Sequence, residues 1–455
     1  LLLRCKRAVG PTWGLKPAVM RWIYTSIVRP IMAYAAVVWF TRMEKRTAQL
    51  CLERIQSMAC RMVTGALGST PTAALERLLQ LPPVDLYLRG EALKTATRMK
   101  QEGSWKTRTW RGGHVYACEA EATKFPEMAV PSDRIRSTAI GVKPYRLFVD
   151  QTDRRKVEEK VEELERTGDI TVYTDGSRKE GRTGAGALIC IPGEEEIEAV
   201  RGLGTMATVN QAEMVAIMIA VRYLTALRKR RRRIDICSDS RVSLLALGAE
   251  TTKSGLTLEC HQLLVKLGTK HHVRLHWVPG HSGIEGNERV DEIAKRGTEM
   301  EVQGAEPYLP TPPSHARRLV EEQMRKEEDR RWEELEGHRQ SKKNIRTQTG
   351  KDLKALLGQS RKGLKYLVGV LTGHANLGRH LHKVGLWASP RCPKCQLEEE
   401  TPEHHIGRCP VYWRKRWKIL GKPRFEEEED DDWRNMPYNV LAKFLLEAGR
   451  LGEML

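Results

Sequence analysis

The chain has 455 residues, with 77 lysines and arginines against 58 aspartates and glutamates, a net charge of +19 and a hydrophobic fraction of 40%. That length and apolar content exclude a disordered tail or one small domain and predict two or three domains with cores of their own, while the positive balance favours a polyanionic partner bound less tightly as salt rises. The ten cysteines are scattered, three of them in one metal-like cluster, which argues for reduced thiols and against a secreted disulfide scaffold.

Residues 1–100 read as helical, and residues 22–40 form their most apolar run. The run is about long enough for a membrane span, but Arg29 and Pro30 stand near its centre, where an arginine costs roughly 2.5–3.5 kcal/mol in a bilayer. A buried helix pair is predicted instead, with no membrane contact. No cleavable signal precedes it, as expected for an intracellular protein. Residues 101–166 are mixed and polar, end in a charged helix-like run at 154–166, and are assigned as a linker.

Four acidic residues, each in its own short signature, occupy residues 167–299. Asp175 closes the strand-like run Ile170-Thr171-Val172-Tyr173-Thr174 and is followed by the Gly-rich strand Gly184-Ala185-Gly186-Ala187-Leu188. Thr208-Val209-Asn210-Gln211 has capping-box spacing, which puts Glu213 in the early turns of a helix. Asp239 ends the strand-like run Ile234-Asp235-Ile236-Cys237-Ser238. A further strand leads to Pro279-Gly280-His281-Ser282-Gly283, where flanking glycines let His281 move, and Asp291 lies on a short helix stopped by Gly297. Singly, each acid has a bland reading as a turn residue or a solvated helix position. Jointly, clustered carboxylates are the usual protein part of a two-metal phosphodiesterase site, because hard divalent ions need shared oxygen ligands.

The order Asp, Glu, Asp, His, Asp with these flanking residues resembles the type 1 ribonuclease H domain over residues 169–300. The resemblance implies an α/β fold, a five-stranded mixed sheet flanked by helices, that cleaves the RNA strand of an RNA/DNA hybrid with two Mg²⁺ ions, Mn²⁺ being an alternative. It also implies that Asp175 bridges the metals, that Glu213 and Asp239 hold one of them and orient water, that Asp291 completes the second, and that His281 assists proton movement or product departure. Ser177, Asn210 and Ser240, inside the same signatures, are expected to contact the hybrid. Two departures stand out: Val209 precedes Asn210 where many relatives carry two asparagines, and Val290 replaces a small residue before Asp291. The basic run Arg228-Lys229-Arg230-Arg231-Arg232-Arg233 fits a phosphate contact or a nuclear import signal, and equally a solvated loop.

Residues 300–350 contain a Pro-rich hinge at 307–313 and dense alternating charge, and read as an exposed helix or flexible arm. Within residues 351–420, Cys392, Cys395, His404 and Cys409 give C-x2-C-x8-H-x4-C, a closed donor set suited to structural Zn²⁺, with His405 as an adjacent competitor. Trp413-Arg414-Lys415-Arg416-Trp417-Lys418 reads either as a nucleic-acid surface or as an amphipathic helix with buried tryptophans. Residues 421–455 are assigned as an acidic tail and a terminal helix.

The segment Leu371-Thr372-Gly373-His374-Ala375-Asn376-Leu377 with the cysteine pair, and Trp13-Gly14-Leu15, Arg29-Pro30, Val38-Trp39 and Thr64-Gly65-Ala66 near the start, resemble the parts of insect-type non-LTR retrotransposon polyproteins that follow the polymerase core. No Tyr/Phe-x-Asp-Asp motif occurs. The resemblance implies a retroelement fragment without a polymerase site: a thumb-like helical remnant, a ribonuclease H domain, and a zinc-knuckle-like tail binding RNA or DNA, with access to the nucleus. The rival of a different class is a catalytically silent nucleic-acid-binding scaffold. An integrase on the same fold would order its acids Asp, Asp, Glu, which this chain does not.

Overall fold

The computed structural model describes residues 2–103, 131–149, 159, 161, 163–164, 170–226, 231–302, 306–345, 349–425 and 432–449. They gather into two compact units, one formed by residues 1–93 together with 320–455 and the other by residues 94–319.

The chain enters through Pro17–Ala33 and Ala36–Glu44, bent by 50° relative to each other, and continues into helices α1 (Arg46–Thr64), α2 (Thr72–Leu79) and α3 (Val84–Gln101). Among the described residues no single helix is long and apolar enough to cross a membrane. The cation that argued against a span is buried in protein: Arg29 donates to Gln56 Oε1 at 2.8 Å and lies 4.5 Å from the Tyr87 ring.

Residues 94–319 contribute the described strands β1 (Arg134–Ala139), β2 (Tyr145–Phe148), β3 (Ile170–Lys179), β4 (Arg182–Cys190), β5 (Ile197–Gly204), β6 (Arg233–Ser238), β7 (Thr251–Ser254) and β8 (His272–Trp277). They also carry helices α4 (Val209–Ala226), α5 (Arg241–Gly248), α6 (Gly255–Gly268) and α7 (Glu285–Glu299). The main sheet is mixed and has six strands in the order β2-β8-β6-β3-β4-β5. From β2 to β3 neighbours run parallel, whereas β4 and β5 pair antiparallel. Five strands were expected; the sixth, β2, comes from the stretch assigned as linker. It is four residues long, too short to carry a periodic signal. The same stretch supplies β1, paired with β7, so the linker assignment of residues 101–166 is corrected where they are described.

Alternation along the strands builds a core on each face. Val172, Ile234 and Ile236 meet Ala212 and Ala216 of α4 and Leu264 of α6 on one side. Tyr173, Leu188 and Cys237 meet Val290 and Ile293 of α7 on the other. The Gly-rich β4 lets α7 come to backbone contact, since a Cβ on Gly184 would lie 2.4 Å from the Gly297 carbonyl carbon. Gly297 is therefore a packing position and not a stop, and α7 runs on to Glu299. Asp235, fully buried on β6, accepts from Arg274 at 2.6 and 2.7 Å and lies 2.8 Å from His276 Nε2. Burial pushes its carboxyl up, but the hydrogen bonds from His276 and Arg274 prevail and hold it below the usual range.

Beyond α7 come α8 (Pro313–Glu334), α9 (Arg361–Thr372), α10 (Trp413–Leu420) and α11 (Tyr438–Ala448). The stretch read as an exposed arm is corrected: Val320 and Met324 of α8 are buried, and the pairs Arg77–Asp329 and Arg331–Asp85, both 2.6 Å, tie it down. Dense charge hid two apolar positions four residues apart. The terminal helix α11 buries Tyr438, Leu441, Phe444 and Leu445, in one core with Tyr24, Leu75, Leu367, Cys392 and Cys409. Residues 1–100 and 351–420, assigned as separate parts, thus share a core. The acidic run Glu426 to Asp431, the basic residues Arg228 to Arg230 and most of the charged run at 154–166 lie outside the described residues.

Candidate active site and metal centre

Asp239 follows the end of β6, and Asp175 lies beside it inside β3, which does not close there as the sequence suggested but runs on to Lys179 with Asp175 paired to Gly186 of β4. The two acids are neighbours because β3 and β6 run parallel in register. Each follows one member of the paired Thr174 and Ser238. Trp277 Nε1 donates to the Asp239 carbonyl at 3.0 Å and fixes the backbone there. Glu213 reaches the same point from α4, whose start is capped as the sequence predicts: Gln211 N donates to Thr208 Oγ1 at 3.3 Å and Thr208 N to Gln211 Oε1 at 3.1 Å. Gly176 makes the approach of α4 possible, since a Cβ there would stand 2.4 Å from the Glu213 nitrogen.

Carboxylate oxygens of Asp175, Glu213 and Asp239 all lie within 4.8 Å of one another. Such a group resists ionisation. Burial, then the charges of Asp239 and Asp291, push Asp175 up to about 7. Burial, then Asp175 and Asp239, push Glu213 up to about 9. Burial also raises Asp239, with His281 opposing it. Glu213 Oε2 is buried and has no hydrogen-bond partner, an expensive arrangement for a carboxylate unless a cation faces it.

Asp291 belongs to a second group, within 4.8 Å of His281 and Glu288. Lys295, one turn on, donates to Asp291 Oδ2 at 2.7 Å. The influence of Asp291 on both Asp175 and Asp239 links the two groups electrostatically. His281 is exposed and left-handed, at φ 50°, with Gly283 behind it at φ 82°. Sequence reasoning missed Glu288; only its place one turn before Asp291 could have signalled it. Ser177 and Ser240 are half-buried beside their acids, Ser240 donating to Ser243 Oγ at 2.9 Å, and Asn210 is exposed on the first turn of α4.

Cys392, Cys395, His404 and Cys409 converge, their donor atoms within 4.8 Å of one another. Cys395 Sγ lies 3.3 Å from His404 Nε2, and Cys392 Sγ 4.0 Å from Cys409 Sγ. His404 Nδ1 faces Glu398 Oε2 at 3.3 Å, the outer partner that orients a metal-binding imidazole. His405 points elsewhere, its ring 4.8 Å from that of Tyr412, so the geometry selects His404. The hydrogen bond with Cys409 and then that with His404 draw the Cys392 thiol well below its ordinary value, as a thiolate ligand requires. Arg416, one of the cations of the run 413–418, does not face solvent: it is buried behind the cluster and donates to the carbonyls of Ile406 (2.6 Å), Cys409 (2.8 Å) and Pro423.

The family model described as RNase H matches residues 167–299. The Ribonuclease H of Cupriavidus necator is 34% identical over 145 residues, an alignment spanning 29% of this chain and 96% of that protein. The Ribonuclease H of Ralstonia nicotianae is 32% identical over 146 residues, spanning 29% and 93%. The crystal structure of RNase H1 from the halophilic archaeon Halobacterium salinarum NRC-1 is 22% identical, with 29% of this chain and 97% of that one covered and a TM-score of 0.24.

Proposed function

The chain belongs to the ribonuclease H family, and on that premise we propose that residues 167–299 hydrolyse the RNA strand of RNA/DNA hybrids with two divalent ions held by Asp175, Glu213, Asp239 and Asp291. The observation that carries the proposal is the convergence of three carboxylates within 4.8 Å, two of them pushed up to about 7 and about 9, around a buried Glu213 oxygen without a hydrogen bond. Only bound cations make that geometry favourable in ionised form. When bound, Mg²⁺ or Mn²⁺ would supply Lewis acidity that lowers the pKa of the attacking water and neutralises charge on the leaving oxygen.

The protein's own part is positioning. Asp175, on the rigid centre of the sheet, fixes the shared point; Glu213 and Asp239 flank it from a helix and a strand end; Asp291 approaches on α7. His281, on its glycine-flanked loop, is placed to take or deliver a proton near Asp239 and Asp291. Glu288 shares that side of the site. Ser177, Asn210 and Ser240 are proposed hybrid contacts.

For the second centre we propose structural Zn²⁺ on Cys392, Cys395, His404 and Cys409, supported by the closed soft donor set and by Glu398 behind His404. The chain motifs quoted above support a retroelement origin, an intracellular location with nuclear access, and an RNA- or DNA-binding role for residues 351–420.

The test is cleavage of a hybrid labelled on its RNA strand, with duplex DNA, duplex RNA and metal-free controls. Mg²⁺-dependent cutting of the hybrid RNA alone is expected. Tight binding without cutting at any divalent concentration would favour the silent scaffold.

A further inference from the structure

Helix α10 packs inside out relative to its composition. Its inward stripe is Arg416 and Leu420, preceded by Tyr412, at 1%, 5% and 4% exposure, while the tryptophans Trp413 and Trp417 stand 50% and 59% exposed. The inversion has a local cause. The guanidinium of Arg416 satisfies three loop carbonyls around the Cys409 ligand, which an indole could not do. The cost is that two large apolar rings, one helical turn apart and separated by about 6 Å along the axis, remain in water. Within residues 405–448 the other aromatics Tyr412, Phe425, Trp433, Tyr438 and Phe444 are buried, so Trp413 and Trp417 are the exposed pair of this segment among the described residues.

Along α10 and the five residues after it the chain is cationic, before the acidic run at 426–432. Residues 413–425 contain six lysines and arginines and no acid. Arg414 and Lys418 each follow a tryptophan by one position and form a parallel row on the helix, both exposed, with Lys422 and Arg424 exposed just beyond. Arg414 lies 5.4 Å from the Trp413 ring, and Lys415 donates to the Glu447 carbonyl at 2.6 Å, which anchors α10 against the end of α11. Flat aromatic faces alternating with cations match unstacked bases alternating with phosphates. Duplex nucleic acid offers the cations its phosphates but hides its base faces.

We propose that the exposed Trp413–Trp417 face of α10, with Arg414 and Lys418 beside it, is a binding site for single-stranded nucleic acid, bases stacking on the indoles and phosphates meeting the cations. The proposal rests on the nucleic-acid-binding reading of residues 351–420 and moves the contact from the metal loop to the helix behind it. The Cys392 and Cys409 thiols are buried, whereas both indoles of α10 are exposed.

The test uses the full chain and fluorescein-labelled oligo(U), oligo(dT) and duplex DNA of about 20 nucleotides or base pairs. Anisotropy is measured for the parent, the Trp413→Ala/Trp417→Ala protein and the Trp413→Phe/Trp417→Phe protein. Hybrid cleavage and zinc content are read on the same preparations, so loss of the ribonuclease or of the metal is told apart from loss of this site. The alanine pair is expected to weaken single-strand binding by about tenfold or more, to leave duplex affinity within about twofold, and to be largely rescued by phenylalanine. Unchanged single-strand affinity in the alanine protein overturns the proposal. So does a phenylalanine protein that keeps parental zinc content yet binds no better than alanine. A concentration-dependent dimer abolished by the alanine pair, with single-strand affinity intact, overturns it too and assigns the face to self-association.

Discussion

Gly176 and Glu213 meet at backbone distance: a Cβ on the glycine would stand 2.4 Å from the glutamate nitrogen and 2.8 Å from the Ala212 carbonyl carbon. Neither neighbour is a flexible side chain, so Gly176→Ala must push α4 away from β3. Overpacking of this kind costs about 1–3 kcal/mol, and a shift of Glu213 by about 1 Å is expected to lower hybrid cleavage by about 100-fold. Titration with non-cleaved hybrid should show nearly parental binding. Parental turnover in the alanine variant would mean that Glu213 need not sit where it does.

Asp175→Asn should abolish cleavage while hybrid binding persists, since the substitution removes the acid common to the clustered carboxylates but no exposed cation. The metal-free variant should also melt at a higher temperature than the parent, because one member of a mutually repelling group is neutralised. A lower melting temperature would show that burial of the neutral amide outweighs that repulsion.

The pH dependence of the metal-free protein follows with a definite sign. Asp175 and Glu213 have folded-state values of about 7 and about 9, against roughly 4 unfolded. The folded state therefore holds more protons over that window, and stability falls as pH rises from about 4 through 7 to 9. Melting in chelator should descend across this range, and Mg²⁺ should flatten the curve by favouring the ionised carboxylates. A melting temperature that rises from pH 5 to 9 in chelator would contradict this assignment.

Asp235 lies outside the clustered carboxylates and behaves oppositely. Its carboxyl is held low, so its stabilisation is present above about pH 4 and disappears as pH falls through the folded value. Asp235→Asn should cost about 3 kcal/mol, the low end for breaking a buried pair, because Arg274 keeps some contact with water. Denaturant melts measure the loss, and activity per folded molecule should be unchanged. Loss of activity without loss of stability would give Asp235 a role in the reaction.

Cys392→Ser with Cys395→Ser should release about one equivalent of zinc. Because Cys392 and Cys409 share a core with Tyr24, Leu75 and Phe444, the loss should also open Arg46–Thr64 to limited proteolysis. A self-contained zinc knuckle would leave that helix protected.

Asp175, Glu213 and Asp239 were legible because each follows closely on a strong local pattern: Thr174 and Ser238 end apolar runs, and Thr208 caps α4. What escaped notice depends on contacts distant in sequence. Gly297 reads as a helix stop until β4 is seen beneath it. Glu288 looks like any first-turn acid until the His281 loop folds over it. In α10 the pattern left the tryptophans' side open, and three loop carbonyls decide it by drawing Arg416 inside. The union of residues 1–93 with 320–455 leaves no mark in any short window.

That union also sets a schedule for biosynthesis. The helices of residues 1–93 leave the ribosome more than 200 residues before the segments that complete their core, a delay of roughly 10–45 s at ordinary elongation rates. Throughout it Tyr24, Leu75 and Leu78 have no C-terminal partners, whereas residues 94–319 can close their own sheet as soon as they emerge. Nascent chains of this protein therefore carry a finished catalytic domain behind an unfinished helical one, and their yield in cells should track chaperone supply more closely than the stability of the ribonuclease fold.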